Sequence, residues 1–341
     1  MKKLDVLRVW GRVVRGHTPF LSLEITKECP LRCPGCYAYS PDHLGPAAGL
    51  RQLSDYRGQE LVSAIMALVR RIRPVHVSIV GGEPLVRYRE LSEVLPLLDR
   101  MGVEVQIVTS AVRPLPDGWK SIRCLHVVIS IDGLAAEHDR RRAPATYDRI
   151  LKHIAGHSVT VHCTVTRQML ARPRYLADFC RFWSERDEVR KIWFSIYTPQ
   201  EGEISPERLR PEDREGLFEE LAATARYPKV HLPRMVLNSY RHPPQSPEEC
   251  TFARLSTCVS ADLKTQVTPC QLGGRPVCAE CGCIASAGMH ALAGLKIGGI
   301  LPVSAILNAS IRLGSRGVSA LPRTGGHDCF EKISAAGTPG S

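Results

Sequence analysis

From residue 21 onward, short apolar runs rich in β-branched residues alternate with longer stretches whose apolar positions recur at helical spacing. Leu21–Thr26, Val75–Val80, Val103–Thr109, Leu125–Ile131, Ser158–Val165 and Ile192–Tyr197 read as strands. Between them, residues 57–72 place Leu61, Ile65, Leu68, Val69 and Ile72 on one helical face; further helices are expected at 88–100, 144–155, 173–186 and 211–226. Strands and helices in strict alternation predict an α/β fold, a parallel sheet with helices outside, either an open doubly wound sheet or a curved partial barrel. In both arrangements ligands bind at the C-terminal ends of the strands.

The flanks are less regular. Residues 4–15 put Val6, Leu7, Trp10, Val13 and Val14 on one helical face and Arg8, Arg12 and Arg15 on the other. That pattern suits a helix docked on the domain, with a membrane-surface helix as the alternative. The Pro-rich stretch His242–Pro247 reads as a linker. Residues 284–313 are apolar but broken by Lys296, Gly298, Gly299 and Pro302, and neither half reaches the roughly 20 residues that span a bilayer. A packed helix pair is expected there, and disorder in the Gly/Ser/Pro-rich tail beyond about 314. The expected division is therefore an N-terminal amphipathic helix at 1–19, a core domain at 20–228, a linker at 229–249, a cysteine-rich module at 250–283, and an apolar segment with a flexible tail at 284–341.

Composition narrows the function. With 44% hydrophobic and 23% charged residues, the 341-residue chain is an ordinary globular protein. Its net charge of +11 comes from arginines scattered through most helices, which reads as a basic surface rather than a nucleic-acid track. The charged N-terminus lacks a signal peptide's apolar run, so a cytoplasmic location is expected, with peripheral membrane contact as a second reading. In that setting 13 cysteines are better read as metal ligands than as disulfides. Nine fall into two groups, Cys29/33/36 and Cys250/258/270/278/281/283; Cys124, Cys163 and Cys180 read as buried thiols, and Cys329 lies in the tail.

The first group has the spacing C-x3-C-x2-C immediately after the first strand. A loop can wrap three such thiolates around one face of a [4Fe–4S] cube and leave the fourth iron open. An open position points to a bound cofactor or substrate, although the spacing alone also suits zinc. Gly81-Gly82-Glu83-Pro84 follows the second strand. There, two glycines allow close backbone approach to a ligand, and the carboxylate can accept from an ammonium group. Ser130-Ile131-Asp132-Gly133 ends the fourth strand, followed by Glu137-His138-Asp139-Arg140-Arg141-Arg142, and Cys163–Thr166 and Phe194–Tyr197 occupy the next two strand ends.

In these motifs and their order, residues 20–200 resemble the radical S-adenosylmethionine (SAM) superfamily. The resemblance implies a partial (β/α)6 barrel in which Cys29, Cys33 and Cys36 hold the catalytic [4Fe–4S] cluster. It further implies that Gly81, Gly82, Glu83 and Pro84 hold the amino group of SAM, and that Ser130, Asp132 and Arg142 serve its carboxylate or ribose. An aromatic residue usually precedes the third cysteine, beside the adenine. Here that position is Gly35, which retains the backbone contact, and the packing role passes to Tyr37 or is lost.

In the second group, Cys258 and Cys270 end two short alternating runs that read as a hairpin, followed by Cys278, Cys281 and Cys283, with Cys250 upstream. This resembles the SPASM or twitch auxiliary-cluster modules, though the usual glycine before the second hairpin cysteine is missing and the final C-x2-C-x-C is compact. The resemblance implies one auxiliary [4Fe–4S] cluster on Cys258, Cys270 and two of Cys278, Cys281 and Cys283; two clusters, or structural zinc, are the alternatives.

The function so implied is reductive cleavage of SAM to methionine and a 5′-deoxyadenosyl radical that abstracts hydrogen from an unactivated C–H bond. An electron donor of ferredoxin or flavodoxin type is implied as a partner. A peptide or protein side chain is the expected substrate, with a lipid or isoprenoid-like small molecule at a membrane surface second, and RNA supported only by net charge. A non-enzymatic iron–sulfur or zinc redox sensor that binds nucleic acid would explain the cysteines and the charge, but not Gly81–Pro84 or the order of motifs at strand ends.

Overall fold

The computed structural model describes residues 11–45, 49–297, 301–306 and 309. The start of the expected N-terminal helix, the end of the apolar stretch and the tail with Cys329 lie outside the described residues.

The six expected strands all form: β1 (Phe20–Glu24), β2 (His76–Val80), β3 (Glu104–Thr109), β4 (Leu125–Ser130), β5 (Val159–Val165) and β6 (Val189–Ile196). A seventh, β7 (Ser256–Val259), joins them in one parallel sheet of order β6-β5-β4-β3-β2-β1-β7. Successive strands are neighbours because most return through a helix: α1 (Gly58–Ile72) joins β1 to β2, α2 (Tyr88–Arg100) β2 to β3, α3 (Ala135–Arg142) and α4 (Tyr147–Ile154) β4 to β5, and α5 (Tyr175–Ser184) β5 to β6, with α6 (Pro211–Ala223) after β6; β3 reaches β4 through the short 3-10 turn Asp117–Ser121 alone. The outward strand positions Leu21, Leu23, Val77, Ile79, Val105 and Ile107 are fully buried, and so is the face of α1 that the spacing predicts. Cys124, Cys163 and Cys180 are buried within this core.

β7 was not legible as a sheet strand. The expected hairpin is present, since Val267 N–H donates to the Cys258 carbonyl (2.9 Å) and Ser260 N–H to that of Thr265 (2.8 Å). Its first arm also pairs with β1, setting Cys258 opposite Ser22. At the other edge Ile196 N–H donates to the Gly282 carbonyl (2.8 Å). The cysteine-rich segment therefore bridges the two edge strands of the open barrel, where an unpaired edge would otherwise be exposed.

The stretch expected as a linker holds α7 (Arg234–Arg241), with Tyr240 fully buried and its hydroxyl donating to the Phe194 carbonyl (2.5 Å). Prolines on both sides mask the i, i+4 pair Val236 and Tyr240 that docks it. Two further helices follow, α8 (Thr251–Leu255) and α9 (Ile284–Ala293), the latter packed on α7, α8 and β6. Trp183 anchors the opposite side: it is fully buried, its ring centroid lies 5.2 Å from those of Tyr147 and Phe182, and its N–H donates to the Tyr147 hydroxyl (3.0 Å). Trp183→Ala is expected to cost about 3–5 kcal/mol, read as a lowered urea midpoint.

Candidate functional site

Every motif singled out in the sequence lies at the C-terminal edge of the sheet. β1 runs into the loop that carries Cys29, Cys33 and Cys36, all half-buried. β2 ends in Gly81 and Gly82, both at positive φ (81° and 45°). A Cβ on Gly81 would lie 2.3 Å from that of Glu24, and one on Gly82 2.3 Å from the Glu28 carbonyl oxygen. Glu83 N–H donates to that same oxygen (2.8 Å). The glycines thus allow the β2 turn to press against the end of β1 and the cysteine loop.

Glu83 is anchored in the same turn. Its carboxylate is 1% exposed and accepts from Leu85 N–H (2.9 Å), Ser110 N–H (2.8 Å) and the Thr109 hydroxyl. These donors take up most of its acceptor capacity, so it pins the ends of β2 and β3 together beneath the loop. Burial raises its pKa against the pull of those donors. Pro84 is buried and opens the short 3-10 turn Pro84–Arg87.

At the end of β4, Asp132 is 3% exposed, and its Oδ2 accepts from Arg141 Nε (2.7 Å) and Arg142 Nε (2.6 Å). Burial opposes its charge, but the two guanidinium groups outweigh burial and hold its pKa well below the usual carboxylate range. Arg142 continues to the Ser110 hydroxyl (2.9 Å), and its charge acts on the thiols of Cys33 and Cys36. Arg141 donates to the Pro34 carbonyl (2.8 Å) and pairs with Glu207, which ties the cysteine loop to the β4 turn. The His138 Nδ1 accepts from Asp132 N–H (3.0 Å) while Nε2 faces the Ala145 carbonyl (2.9 Å). Burial lowers its pKa to about 4, so the ring is neutral and acts as a fixed strut. Ser130 is half-buried beside His162 of β5. Arg141, Glu207 and Ser110 were missed by sequence reasoning, because their partners lie up to 107 residues away.

Gly35 has φ 62°, and a Cβ there would lie 2.9 Å from the Tyr197 hydroxyl and 3.0 Å from Glu207 Oε2. An aromatic ring therefore does stand beside position 35, supplied from the end of β6. Tyr37 does not take that place. Its ring centroid lies 5.7 Å from that of His43, and it feels the charges of Glu24, Cys36, Cys283 and Cys258, which sets it between the two cysteine groups. A buried network joins the same regions: the Glu24 carboxylate contacts His43 Nε2 (2.6 Å) and accepts from the Ser260 hydroxyl (2.6 Å), and His43 Nδ1 meets the Leu272 carbonyl (3.0 Å).

Burial pushes the Cys29 thiol up to about 12 and raises Cys33 and Cys36, so a group that binds them as thiolates must offset that burial. Among the described residues, no three His, Cys, Asp or Glu side chains gather closely enough for a single metal ion. Three thiols on one loop suit one thiolate per iron of a cube, with the fourth iron left open. In the second group Cys250, Cys270, Cys278, Cys281 and Cys283 line one apolar cavity. Cys258 stands just outside it in β7, electrostatically coupled to Cys270 and Cys283. Cys250, absent from the expected ligands, sits in the cavity wall with its Sγ 3.2 Å from the Ser286 hydroxyl. Burial drives Cys283 to about 12 and Cys278 to about 11. A sulfur-only donor set around an apolar cavity fits an iron–sulfur group.

Comparison with known proteins agrees with this geometry. Residues 23–165 match the profile of the radical SAM superfamily. The chain is 35% identical over 133 residues to 7-carboxy-7-deazaguanine synthase of Hyperthermus butylicus, a match covering 37% of this chain and 51% of that enzyme, so the chain aligns with about half of the relative's length. Similar folds occur in Streptococcus suis SuiB bound to the precursor peptide SuiA (TM-score 0.54, 15% identity, 79% of this chain and 63% of that one). They also include anSMEcpe with bound AdoMet (TM-score 0.52, 14% identity, 86% and 84%). Loop, strand ends and profile thus coincide over residues 23–165, the part of the chain that is similar to the radical SAM superfamily.

Proposed function

We propose that the chain binds SAM at a [4Fe–4S] cluster held by Cys29, Cys33 and Cys36, cleaves it reductively, and directs the radical to a peptide or protein side chain. The observation that carries the proposal is Arg142, fixed by Asp132 and Ser110 beside Cys33 and Cys36. When bound, the cluster supplies one electron to the sulfonium of SAM, releasing methionine and a 5′-deoxyadenosyl radical. The chain's own residues orient the cofactor. The Arg142 guanidinium is a preset charge for its carboxylate, while Gly35 and Tyr197 flank the position suited to adenine. Glu83 and Arg141 keep the strand ends and the cysteine loop in register, and the cysteine-rich segment across the barrel's edges keeps water from the radical.

The second thiol group would hold an auxiliary cluster, with Cys250 added to the candidate ligands. Reconstituted protein is then expected to hold about eight iron atoms, four per cube, and the Cys29/33/36 triple-Ala variant about four. Adding Cys250→Ala to the triple variant is expected to lower that remainder further; an unchanged iron and sulfide content excludes Cys250 as a ligand.

The peptide reading rests on this auxiliary-type group and on the precursor peptide bound by SuiB. The deazaguanine enzyme points instead to a small heterocycle. Among the described residues no helix is long and apolar enough to cross a membrane. Turnover with a perdeuterated peptide pool distinguishes these substrates. Deuterium appearing in 5′-deoxyadenosine supports peptide C–H abstraction, and turnover without any transfer contradicts it.

A further inference from the structure

The function proposed above leaves the inner wall of the open barrel unassigned. Successive side chains of a strand point to opposite faces of the sheet. Phe194 of β6 turns outward, its ring centroid 6.0 Å from that of Phe179 on α5, and Ile79, Ile107, Ile129 and Val161 share that face, all of them fully buried. The alternate positions Ser78, Gln106, Ser130, His162, Thr164 and Trp193 face the interior of the barrel, and each is only half-buried. A closed barrel fills this space with layers of branched apolar side chains. Here the wall offers two rings, an amide and three hydroxyls, the lining of a ligand chamber rather than of a core.

His162 and Trp193 are register partners on β5 and β6, so their side chains stand next to each other on that wall. His162 is held from one side: its Nε2 shares a hydrogen bond with the Ser195 hydroxyl (2.8 Å), which also accepts from Ile284 N–H (3.1 Å) at the start of α9. Desolvation lowers its pKa to about 4, so the ring is neutral and offers a hydrogen bond rather than a charge. Among the described residues neither His162 Nδ1 nor Trp193 Nε1 has a hydrogen-bond partner, and neither atom is fully buried. Two polar ring atoms are thus left open to the chamber. Ile131 N–H donates to the His162 carbonyl (2.9 Å), which sets the pair directly below the Asp132 turn that fixes Arg142.

We infer that His162 and Trp193 recognise a planar ring with hydrogen-bonding edge atoms, an aromatic or heteroaromatic side chain of the peptide substrate; the inference rests on the peptide reading above. The substrate ring lies against the indole face and makes its edge hydrogen bond with His162 Nδ1. An aliphatic side chain in the same place would leave both ring nitrogens desolvated and unpaired, a penalty that a polar ring avoids.

The test gives the full-length reconstituted enzyme SAM, dithionite and one of two peptide pools. One pool is deuterated only in its Tyr, Trp and His residues, the other only in its Leu, Ile, Val and Lys residues. The quantity read is the fraction of 5′-deoxyadenosine that carries deuterium. Wild type is expected to take label from the ring pool and none above background from the aliphatic pool. His162→Ala and Trp193→Ala should each lower the labelled fraction by about tenfold or more. Trp193→Phe, which keeps a ring face and loses the N–H, should lie between. The labelled fraction is a ratio, so a merely structural role that reduces the amount of active enzyme leaves it unchanged. An unchanged fraction in an iron-loaded alanine variant overturns the inference, as does label taken from the aliphatic pool. Should either alanine variant fail to take up iron, the other carries the comparison. Label from neither pool, with SAM cleavage intact, is a different result: it removes the peptide reading itself, and the inference with it.

Discussion

Cys33→Ala is expected to lose the iron bound by the first cysteine group and to reduce 5′-deoxyadenosine formation to background. The loop offers three thiols and no fourth protein ligand, so one replacement leaves a cube held at only two corners. The two carboxylates of the site are already committed: that of Asp132 is held by two arginines and that of Glu83 by three donors. On the proposed auxiliary cluster, whose thiols come from a separate segment of the chain, about half of the iron should remain, four of about eight atoms. Iron and sulfide counts alongside the turnover assay separate this outcome from general unfolding, in which both groups would empty.

Asp132→Ala is expected to be nearly as damaging by another route. Its carboxylate is buried between two guanidinium groups whose side chains are each only 16% exposed. Removing one partner of a buried ion pair strands the other, a loss of about 3–5 kcal/mol. Arg142 is then held by the Ser110 hydroxyl alone, and SAM affinity should fall by about tenfold or more, since charge-assisted hydrogen bonds depend on preset geometry. Calorimetry on the reconstituted protein and a urea titration check the two parts. Asp132→Asn keeps the shape and one acceptor, and should lie between. The pH dependence has a definite sign. A carboxyl whose folded pKa is depressed contributes stability above its ordinary pKa of about 4, and that stability is lost as pH falls below this value toward the folded pKa. Wild type should therefore lose stability on acidification more steeply than Asp132→Asn; parallel curves contradict the ion-pair account.

Much of this was legible in the residues, for reasons that particular positions show. The six sequential strands and their helices follow from periodicity because each buries a continuous apolar face, as Leu61, Ile65 and Leu68 do on α1. β7 was hidden because it has four residues, two of them hydroxyl-bearing, and its pairing with β1 spans the length of the barrel. Gly81 and Gly82 signalled a close approach, but a glycine does not reveal what approaches; here it is the cysteine loop. The anchoring of Glu83 was not legible, because its three donors come from backbone and hydroxyl groups that carry no sequence signature. Tyr197 takes the place expected of a ring at position 35, and only a folded sheet brings residues 35 and 197 together. The run Arg140–Arg142 contained the signal for the Asp132 clamp, since consecutive arginines on a short helix after a strand-end aspartate can both turn inward.

The central claim, that this loop makes a SAM-cleaving centre, is tested most directly by quantifying methionine and 5′-deoxyadenosine after anaerobic reconstitution of the wild-type chain and incubation with SAM and dithionite. The account predicts both products in equal amounts, formed only with the reductant present. Intact SAM in a fully iron-loaded sample would contradict it.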